Sequence, residues 1–386
     1  MKEKFDLEDI IREVKAEDFL DFPGESRPPE AAPPRKRKRP LWRGIARAVG
    51  RLAVFLVVTV LLIGIALYGV MYVLAKGPSP TARNLFVLSV RETSAVGFLA
   101  DLFLTEAEIA EIEAGKEVEE YAETDTSLIS IGEPEDDREA GPVADAWGLV
   151  DEDGDGIIVE PVKGEGYSGY MMVVLDPSRV IMGSKPESYA VRGYTVAEMV
   201  EEFDAVAGIN AGGFVDPEGM GNGSTPDSLV VFEGKTYSAG TRQGFVGLDE
   251  NHILHVGNLT KDEIQEKKIE YGVSFGPVLI SNGEPALPES SVSGLNPRTA
   301  IGQRSDGAIL LLVIDGRQVI SIGASLQDLV DVFQKYGAVN ACNLDGGSST
   351  LMWYQGDYIN NCASVIGNRP VPTTFLVLKE GRRSDG

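Results

Sequence analysis

Short apolar runs separated by turn residues fill the second half of the chain. Their length and their β-branched and aromatic content predict β-strands, at YMMVVL, DSLVVF, HILHVG, VLI, AILLLVI, AVNAC, TLMWY and TFLVL. Capping boxes predict three short helices between them, with N-caps at Thr195, Thr260 and Ser325. Many strands with few helices predict an α+β fold, in the form of a single mixed α/β domain.

The longest apolar stretch lies near the N-terminus. Residues 52–75 carry no charge, and as a helix they would be about 36 Å long, enough to cross a ~30 Å hydrocarbon core. Eight basic residues occur in 35–51, and Lys76 alone follows the stretch. This asymmetry predicts a single-pass anchor with a cytoplasmic N-terminus and an extracytoplasmic C-terminal domain. A cleaved signal sequence is the alternative.

Composition divides the chain into four parts. We expect a disordered cytosolic tail over 1–51 that is basic at its end, a transmembrane helix over 52–75, an acidic spacer over 76–145 and a compact domain over 146–380. Twenty acidic residues against two basic ones in 106–160 supply most of the net charge of −24. This charge argues against a nucleic-acid partner, and the basic run beside the anchor fits anionic lipid better.

Histidine and cysteine are scarce. The chain has His252 and His255, and Cys342 and Cys362, which is a poor supply for a zinc site of the usual type or for a Ser-His-Asp triad. Chemistry therefore falls to Asp, Glu, Asn, Arg and backbone amides. Outside the membrane the two cysteines could pair as a local staple, and two free buried thiols are the alternative.

An acidic turn, DEDGDGII, resembles the start of a calcium loop. Asp151, Asp153 and Asp155 occupy the first, third and fifth positions, but the twelfth position is Val162 where an EF-hand has a carboxylate. We expect no full EF-hand. Calcium bound with help from elsewhere and a plain acidic turn both remain open, and no other cofactor is required.

Three further motifs present polar groups next to strands. In VAGINAGGF, Asn210 follows a strand, and the flexible Gly212 and Gly213 let the backbone approach a ligand; a tight turn is the alternative. In LNPRTAIGQ and NRPVPTTF, a proline stiffens the base of Arg298 and Arg369, side chains suited to phosphate or carboxylate. A surface salt bridge is the alternative for Arg298.

The segment NLDGGSST stands between two apolar strands. Amides around Gly346 and Gly347 can form a nest that holds an anion, Ser348 and Ser349 add hydroxyl donors, and Asp345 supplies a carboxylate. A cradle beside a carboxylate suits a sugar phosphate, because fixed donors hold phosphate while a carboxylate stabilises or attacks a cationic anomeric centre.

The ordered motifs NAGGF, NPRTAIG, a strand ending in DGR, NLDGGSS and NRPVPTTF resemble the phosphodiester glycosidase family over about residues 165–380. The resemblance implies an α+β domain that hydrolyses a sugar-1-phosphodiester, and bacterial relatives are described as exopolysaccharide biosynthesis proteins. Ala211 and Val215 depart from the family's pattern, which shifts the backbone amides that face the ligand.

The resemblance and the motifs together assign site residues. The predicted catalytic residues are Asp345, acting as base or nucleophile at the sugar C1, Asn210 and Asn343, orienting sugar or water, and Asp315, which ends a strand and has an ordinary Asp-Gly turn as its alternative. The predicted substrate-binding residues are Arg298, Gly212, Gly213, Gly346, Gly347, Ser348, Ser349 and Arg369.

The expected function is an outward-facing, membrane-anchored hydrolase of sugar-1-phosphodiester bonds, with a phosphorylated surface glycan or exopolysaccharide as its partner. A glycosyl or phosphoglycosyl transferase in polysaccharide assembly is one alternative. A non-catalytic module that binds phosphorylated glycans is the other.

Overall fold

The computed structural model describes residues 41–93, 96–114, 121–132, 142–216, 221–237, 244–288, 293–364 and 367–381. The predicted tail up to residue 40 lies outside these ranges. Contacts separate the chain into two units, residues 1–65 and residues 66–386. Everything below belongs to the second unit, apart from the first part of one long helix.

Seven α-helices occur in the described residues. They are α1 Leu41–Lys76, α2 Pro80–Arg91, α3 Phe98–Asp101, α4 Glu106–Ala114, α5 Val196–Glu202, α6 Lys261–Glu266 and α7 Leu326–Lys335. Within α1, the stretch Ile45–Lys76 is the one described helix long and apolar enough to cross a membrane. The predicted capping boxes at Thr195, Thr260 and Ser325 are confirmed as the N-caps of α5, α6 and α7.

The strands form three large antiparallel sheets and one ribbon. The first sheet has the order β13-β12-β16-β14-β15-β4-β3, the second β18-β17-β6-β19-β5 and the third β10-β9-β11-β7-β8. The ribbon pairs β1 Val143–Ala144 with β2 Val150–Asp151. The other bounds are β3 Ile157–Gly164, β4 Tyr167–Val174, β5 Val180–Ser184, β6 Ala205–Asn210, β7 Val230–Phe232, β8 Lys235–Tyr237, β9 Phe245–Asp249, β10 Leu254–Gly257, β11 Ile269–Val273, β12 Val278–Ser281, β13 Glu284–Pro285, β14 Arg298–Arg304, β15 Ile309–Ile314, β16 Ala338–Leu344, β17 Met352–Tyr354, β18 Asp357–Tyr358 and β19 Thr373–Leu378.

The main core lies where the three sheets meet. Ile301 of the first sheet, Phe375 of the second and Val246 of the third belong to one buried cluster. A second cluster fills the opposite face of the first sheet, where α7 packs Phe333 among residues such as Leu312. The predicted α+β class is confirmed, and each predicted strand run contains a strand.

Strand pairing brings three chain positions to one place. Thr299, at the start of β14, pairs with Leu344, the last residue of β16. Asn210 ends β6 in the second sheet, where it pairs with Thr374, and its side chain accepts a hydrogen bond from the Thr299 hydroxyl at 2.8 Å. The polar segments that follow β6 and β16 therefore emerge side by side.

Part of the predicted acidic spacer runs along this domain. The Thr124 hydroxyl bonds the backbone of Val256 in both directions, at 3.3 and 3.1 Å. The Asp125 amide donates to the Asn282 side chain at 2.8 Å. Residues 121–132 are thus tied to the strands, and the boundaries given for the four parts of the chain remain predictions.

Candidate active site

The loop Asp345–Ser349 leaves β16 at the meeting point of the first two sheets. The Asp345 amide donates to the Ala211 carbonyl at 2.9 Å, and the Gly347 amide donates to the Pro297 carbonyl at 2.9 Å. Gly347 has φ +60°, a left-handed conformation that glycine adopts without strain, and it begins a 3₁₀ turn over Gly347–Ser349. The Gly347 amide is therefore already hydrogen-bonded to the protein, and an anion would have to be bound by other groups of the loop.

The Asn210 side chain anchors this loop through hydrogen bonds. Its Nδ2 donates to the Asp345 carbonyl at 2.5 Å, while its Oδ1 accepts from the Thr299 hydroxyl at 2.8 Å and from the Leu351 amide at 3.1 Å. The side chain is fully buried. Both polar atoms of the amide are engaged, so Asn210 joins β6, β14 and both ends of the loop.

Arg369 borders the loop on the side of Ser348. One guanidinium nitrogen donates to the Ser348 hydroxyl at 3.0 Å, and the two terminal nitrogens form a forked ion pair with Asp216 at 2.8 and 2.7 Å. The guanidinium also lies over the Phe214 ring, 5.0 Å from its centroid. Burial raises the pKa of Asp216, but the hydrogen bonds from Arg369 and Gly221 outweigh it and leave this pKa lowered. Arg369 thus ties the NAGGFVD segment to the loop.

The two glycines of NAGGF lie against other site segments. The Gly212 amide donates to the Thr373 hydroxyl at 2.9 Å. A Cβ on Gly213 would lie 2.9 and 3.1 Å from the carboxylate oxygens of Asp227, so only glycine lets that carboxylate come so close. Asp227 is a second acidic side chain beside this part of the site.

Arg298 has a carboxylate partner from far along the chain. Its Nη2 donates to Glu92 at 2.9 Å and to the Gly294 carbonyl at 2.7 Å, and its Nε donates to the Ala324 carbonyl at 3.2 Å. The same Glu92 oxygen accepts from Asn296 at 2.7 Å. In this arrangement a protein carboxylate occupies the anion position next to Arg298.

Arg317 reaches the loop on its other side. A Cβ on Gly347 would lie 3.3 Å from Arg317 Nη2, and this nitrogen donates to the Thr93 hydroxyl at 2.7 Å and to Asn296 at 3.3 Å. Burial of the guanidinium and the nearby charge of Arg298 lower the pKa of Arg317, although the residue as a whole is exposed. Among the described residues Arg317 makes no ion pair.

Asn343 and Asp315 are buried at the edges of the site. Asn343 Nδ2 donates to the Gly276 carbonyl at 2.9 Å, and its Oδ1 has no hydrogen-bond partner in the described part of the chain. Asp315 accepts from Asn360 at 3.2 Å and from the amide and side chain of Asn361, each at 2.9 Å. Those contacts make Asp315 an anchor for the segment after β18.

The predicted calcium residues do come together, away from this loop. Asp151, Asp153 and Asp155 each offer a carboxylate oxygen within 4.8 Å of the others. Asp151 accepts from the amides of Gly154 and Gly156 at 2.9 and 2.8 Å. Burial raises the pKa of Asp155, the Ile157 amide opposes this, and the charge of Asp153 adds to the rise. Calcium binding stays a prediction.

The remaining cysteines and histidines lie apart from the loop chemistry. Cys342 and Cys362 are both free, which is the unpaired alternative. Burial raises the pKa of the Cys342 thiol. His255 is buried and its Nε2 lies 3.0 Å from Asp249, within the third sheet.

Three residues of this site were not assigned from the sequence: Arg317, Asp216 and Asp227. Arg317 follows Asp315 by two residues in DGR, and Asp216 ends NAGGFVD, so both lie inside motifs that drew attention for other residues. Asp227 stands just before the strand β7 without any motif. The sequence feature that could have identified Arg317 and Asp216 is a charged side chain next to a glycine-containing turn.

Comparison with known proteins finds a family model that matches part of the chain. The model of the phosphodiester glycosidase family matches residues 203–378, which includes every loop residue described above. The uncharacterized SPbeta prophage-derived protein YomE of Bacillus subtilis is 31% identical over 194 residues, covering 47% of this chain and 29% of that protein. Human N-acetylglucosamine-1-phosphodiester alpha-N-acetylglucosaminidase is 26% identical over 212 residues, covering 49% of this chain and 40% of the human protein.

The chain thus spans less than half the length of these curated relatives. Among solved structures, the catalytic domain of zebrafish N-acetylglucosamine-1-phosphodiester alpha-N-acetylglucosaminidase is similar, with a TM-score of 0.48 and 21% identity. The similarity covers 58% of this chain and 82% of the zebrafish one.

Proposed function

Because residues 203–378 belong to the phosphodiester glycosidase family, as the sequence motifs predicted, we propose that this chain is a hydrolase of sugar-1-phosphodiesters. Its substrate is a phosphorylated surface glycan or exopolysaccharide. The helix α1 anchors it in the membrane, with the N-terminus in the cytoplasm and the domain outside. The length of the apolar stretch of α1 supports a membrane span, and the basic residues before that stretch support this orientation.

One observation carries the proposal: two arginines border the loop that holds Asp345. Arg369 donates to Ser348, and the Arg317 guanidinium lies against Gly347. Guanidinium groups suit phosphate oxygens, and the Arg317 residue as a whole is exposed. We therefore assign the phosphate to the region between Arg317 and the Ser348 hydroxyl, which Arg369 holds through a hydrogen bond.

Asp345 acts at the sugar C1. In the reaction the bond between C1 and the phosphate oxygen breaks, and the phosphate leaves as a phosphomonoester. Water supplies the hydroxyl group that becomes bonded to C1, and its proton goes to a basic group. Phosphate is a weak base and leaves without strong acid help, which suits a site poor in histidine. The carboxylate serves as the base for water or as the nucleophile. Asn210 is a positioning residue that fixes the Asp345 backbone.

The test uses the full chain in detergent micelles with N-acetylglucosamine-1-phosphodiesters, and follows free sugar and new phosphomonoester by NMR. We expect equal release of both products. Asp345→Asn abolishes it, while Asp357→Asn, an identical charge change at an exposed position of the short strand β18, leaves it unchanged. Turnover that survives Asp345→Asn would contradict the assignment.

The same experiment separates the alternatives. Adding an acceptor glycan diverts the sugar onto the acceptor if the protein is a transferase, and then free sugar falls while phosphomonoester does not. Saturable glycan binding without any turnover, unchanged in Asp345→Asn, would indicate a binding module and would overturn the hydrolase.

A further inference from the structure

The chain turns back toward α1 shortly after leaving it. Residues 96–104 include the short helix α3, and the Phe103 ring packs 5.2 Å from the ring of Tyr68 and 6.4 Å from that of Tyr72. Ala100 and Leu104 are buried in a small cluster that also contains Ala75 of α1. Lys76 and Glu108 close this packing with an ion pair at 3.1 Å. The segment is therefore fixed against the last turns of α1.

Those contacts set the level of the segment along α1. Tyr72 and Tyr68 come four and eight residues before Lys76, which is about 6 and 12 Å below the end of the helix. Both lie in the uncharged stretch that we assign to the membrane. Phe103 is thus at the level of the apolar part of α1 and not beyond it.

The outer face of α3 is apolar and is not covered by any of the described residues. Phe98 is 59% exposed and Leu102 is 57% exposed, and their i, i+4 spacing places them on one face of the turn. Asp101 lies on the same side, and it is paired with Arg91 at 2.9 Å. Interfacial segments place Phe and Leu side chains toward the acyl chains and charged groups toward the head groups, and Phe98, Leu102 and the Asp101–Arg91 pair offer both kinds of group.

We propose that residues 96–104, the interfacial segment, lie in the boundary layer of the membrane that α1 crosses, as a second membrane contact of this chain. The inference rests on the proposed anchor. The occupant of the apolar face is lipid, because the face is continuous with α1 through Phe103, and α1 presents Tyr68 and Tyr72 at that level. An interfacial element reaches about 5–10 Å into the boundary between head groups and acyl chains.

This membrane contact also determines how close the candidate active site lies to the membrane surface. The amides of Val96 and Gly97 donate to the Thr93 carbonyl at 3.1 and 3.0 Å, so the interfacial segment begins one turn after Thr93. The Thr93 hydroxyl accepts from Arg317 at 2.7 Å. The phosphate-binding arginine is therefore held next to the membrane surface, and the substrate class that fits is a sugar phosphodiester presented at that surface.

The test places a fluorescent probe on single cysteines of the full chain in phospholipid vesicles that contain nitroxide-labelled lipid. Cys362→Ser removes the partly exposed native thiol, and Cys342 is buried. The variants Phe98→Cys and Leu102→Cys report on the segment. Leu61→Cys reports on α1, and Val191→Cys, 71% exposed on the domain, is the matched control in water.

We expect strong quenching by labelled lipid at positions 61, 98 and 102, and several-fold weaker quenching at position 191. Quenching at 98 and 102 that equals the value at 191, with position 61 still quenched, would overturn the interfacial segment while the anchor stands. Absence of quenching at 61 would overturn the anchor and the inference with it. Because the experiment measures no activity, its results can be interpreted even if the hydrolase proposal fails.

Discussion

Removal of the Asn210 side chain tests whether the position of the Asp345 loop depends on one buried amide. Asn210 makes three hydrogen bonds, to the Asp345 carbonyl, the Thr299 hydroxyl and the Leu351 amide. Asn210→Ala deletes all three at once and leaves the partner groups in a dry place, since Asn210 and Thr299 are fully buried. The change therefore acts on the start of the loop and on its end.

The structure gives the size of the effect. A buried polar group that loses its partner costs about 1–3 kcal/mol. Three such groups set a range of roughly 3–9 kcal/mol, and water that enters the space left by the amide offsets part of the loss. We expect the free energy of unfolding to fall by about 3–5 kcal/mol, toward the lower end of that range.

Activity should fall for a separate reason. The Asp345 carbonyl loses its support, so the carboxylate drifts, and displacement by about 1 Å can cost on the order of a hundredfold in rate. Asn340→Ala is the matched control. Asn340 is fully buried and bonds the Leu254 carbonyl and the Asn282 amide. It lies in β16, the strand that leads into the loop, but away from the loop itself.

The assay compares thermal unfolding and initial rates of both variants at a temperature where each is folded. Both should be destabilised, and Asn210→Ala alone should lose activity per folded molecule. If Asn210→Ala kept the rate of Asn340→Ala, the amide would contribute stability only, and the argument that it positions Asp345 would fail.

Three further predictions follow from other contacts of the domain. Arg317→Ala should lower kcat/KM by on the order of 10²-fold, with partial recovery in Arg317→Lys, because a point charge replaces the fork; initial rates decide it, and an unchanged value would remove Arg317 from the site. Asp216→Asn should cost about 3–5 kcal/mol of unfolding free energy, since Arg369 is left buried and unpaired. Because the pKa of Asp216 is lowered in the folded state, its contribution to the unfolding free energy is full above pH ~4 and is lost as pH falls through the lowered value. The melting temperature of the variant should therefore fall less than that of the wild type between pH 7 and pH 2. Equal falls in the two proteins would contradict this. Calcium at about 100 times its Kd should stabilise the chain by about 2.7 kcal/mol and Asp153→Asn should abolish the shift, whereas equal melting temperatures in calcium and in chelator would refute calcium binding.

Local patterns in the sequence were enough for the elements of the fold. Strand runs and capping boxes depend on residues within a few positions of each other, and the N-caps at Thr195, Thr260 and Ser325 each bond the residue three positions on. The loop Asp345–Ser349 was visible for the same reason, since its glycines and hydroxyls are contiguous. What no local pattern contains is the partner of a side chain, as with Glu92, which bonds Arg298 across 206 positions.

Arg298 and Arg317 show that strand register, which no local sequence pattern contains, determines where an arginine side chain lies. Along β14, Ile301 belongs to the core between the sheets and Ala300 to the cluster under α7. The Thr299 side chain bonds Asn210 on the first side, so alternation places the Arg298 side chain on the second side. There it donates to Glu92 and to the Gly294 carbonyl. The Glu92 carboxylate thus occupies the position of an anion beside Arg298. Arg317 lies three residues beyond the end of the neighbouring strand β15 and is not subject to that alternation. Its left-handed backbone at φ +57° belongs to a turn that brings the guanidinium against Gly347. A motif therefore identifies an arginine suited to phosphate, and the strand register determines which arginine meets it.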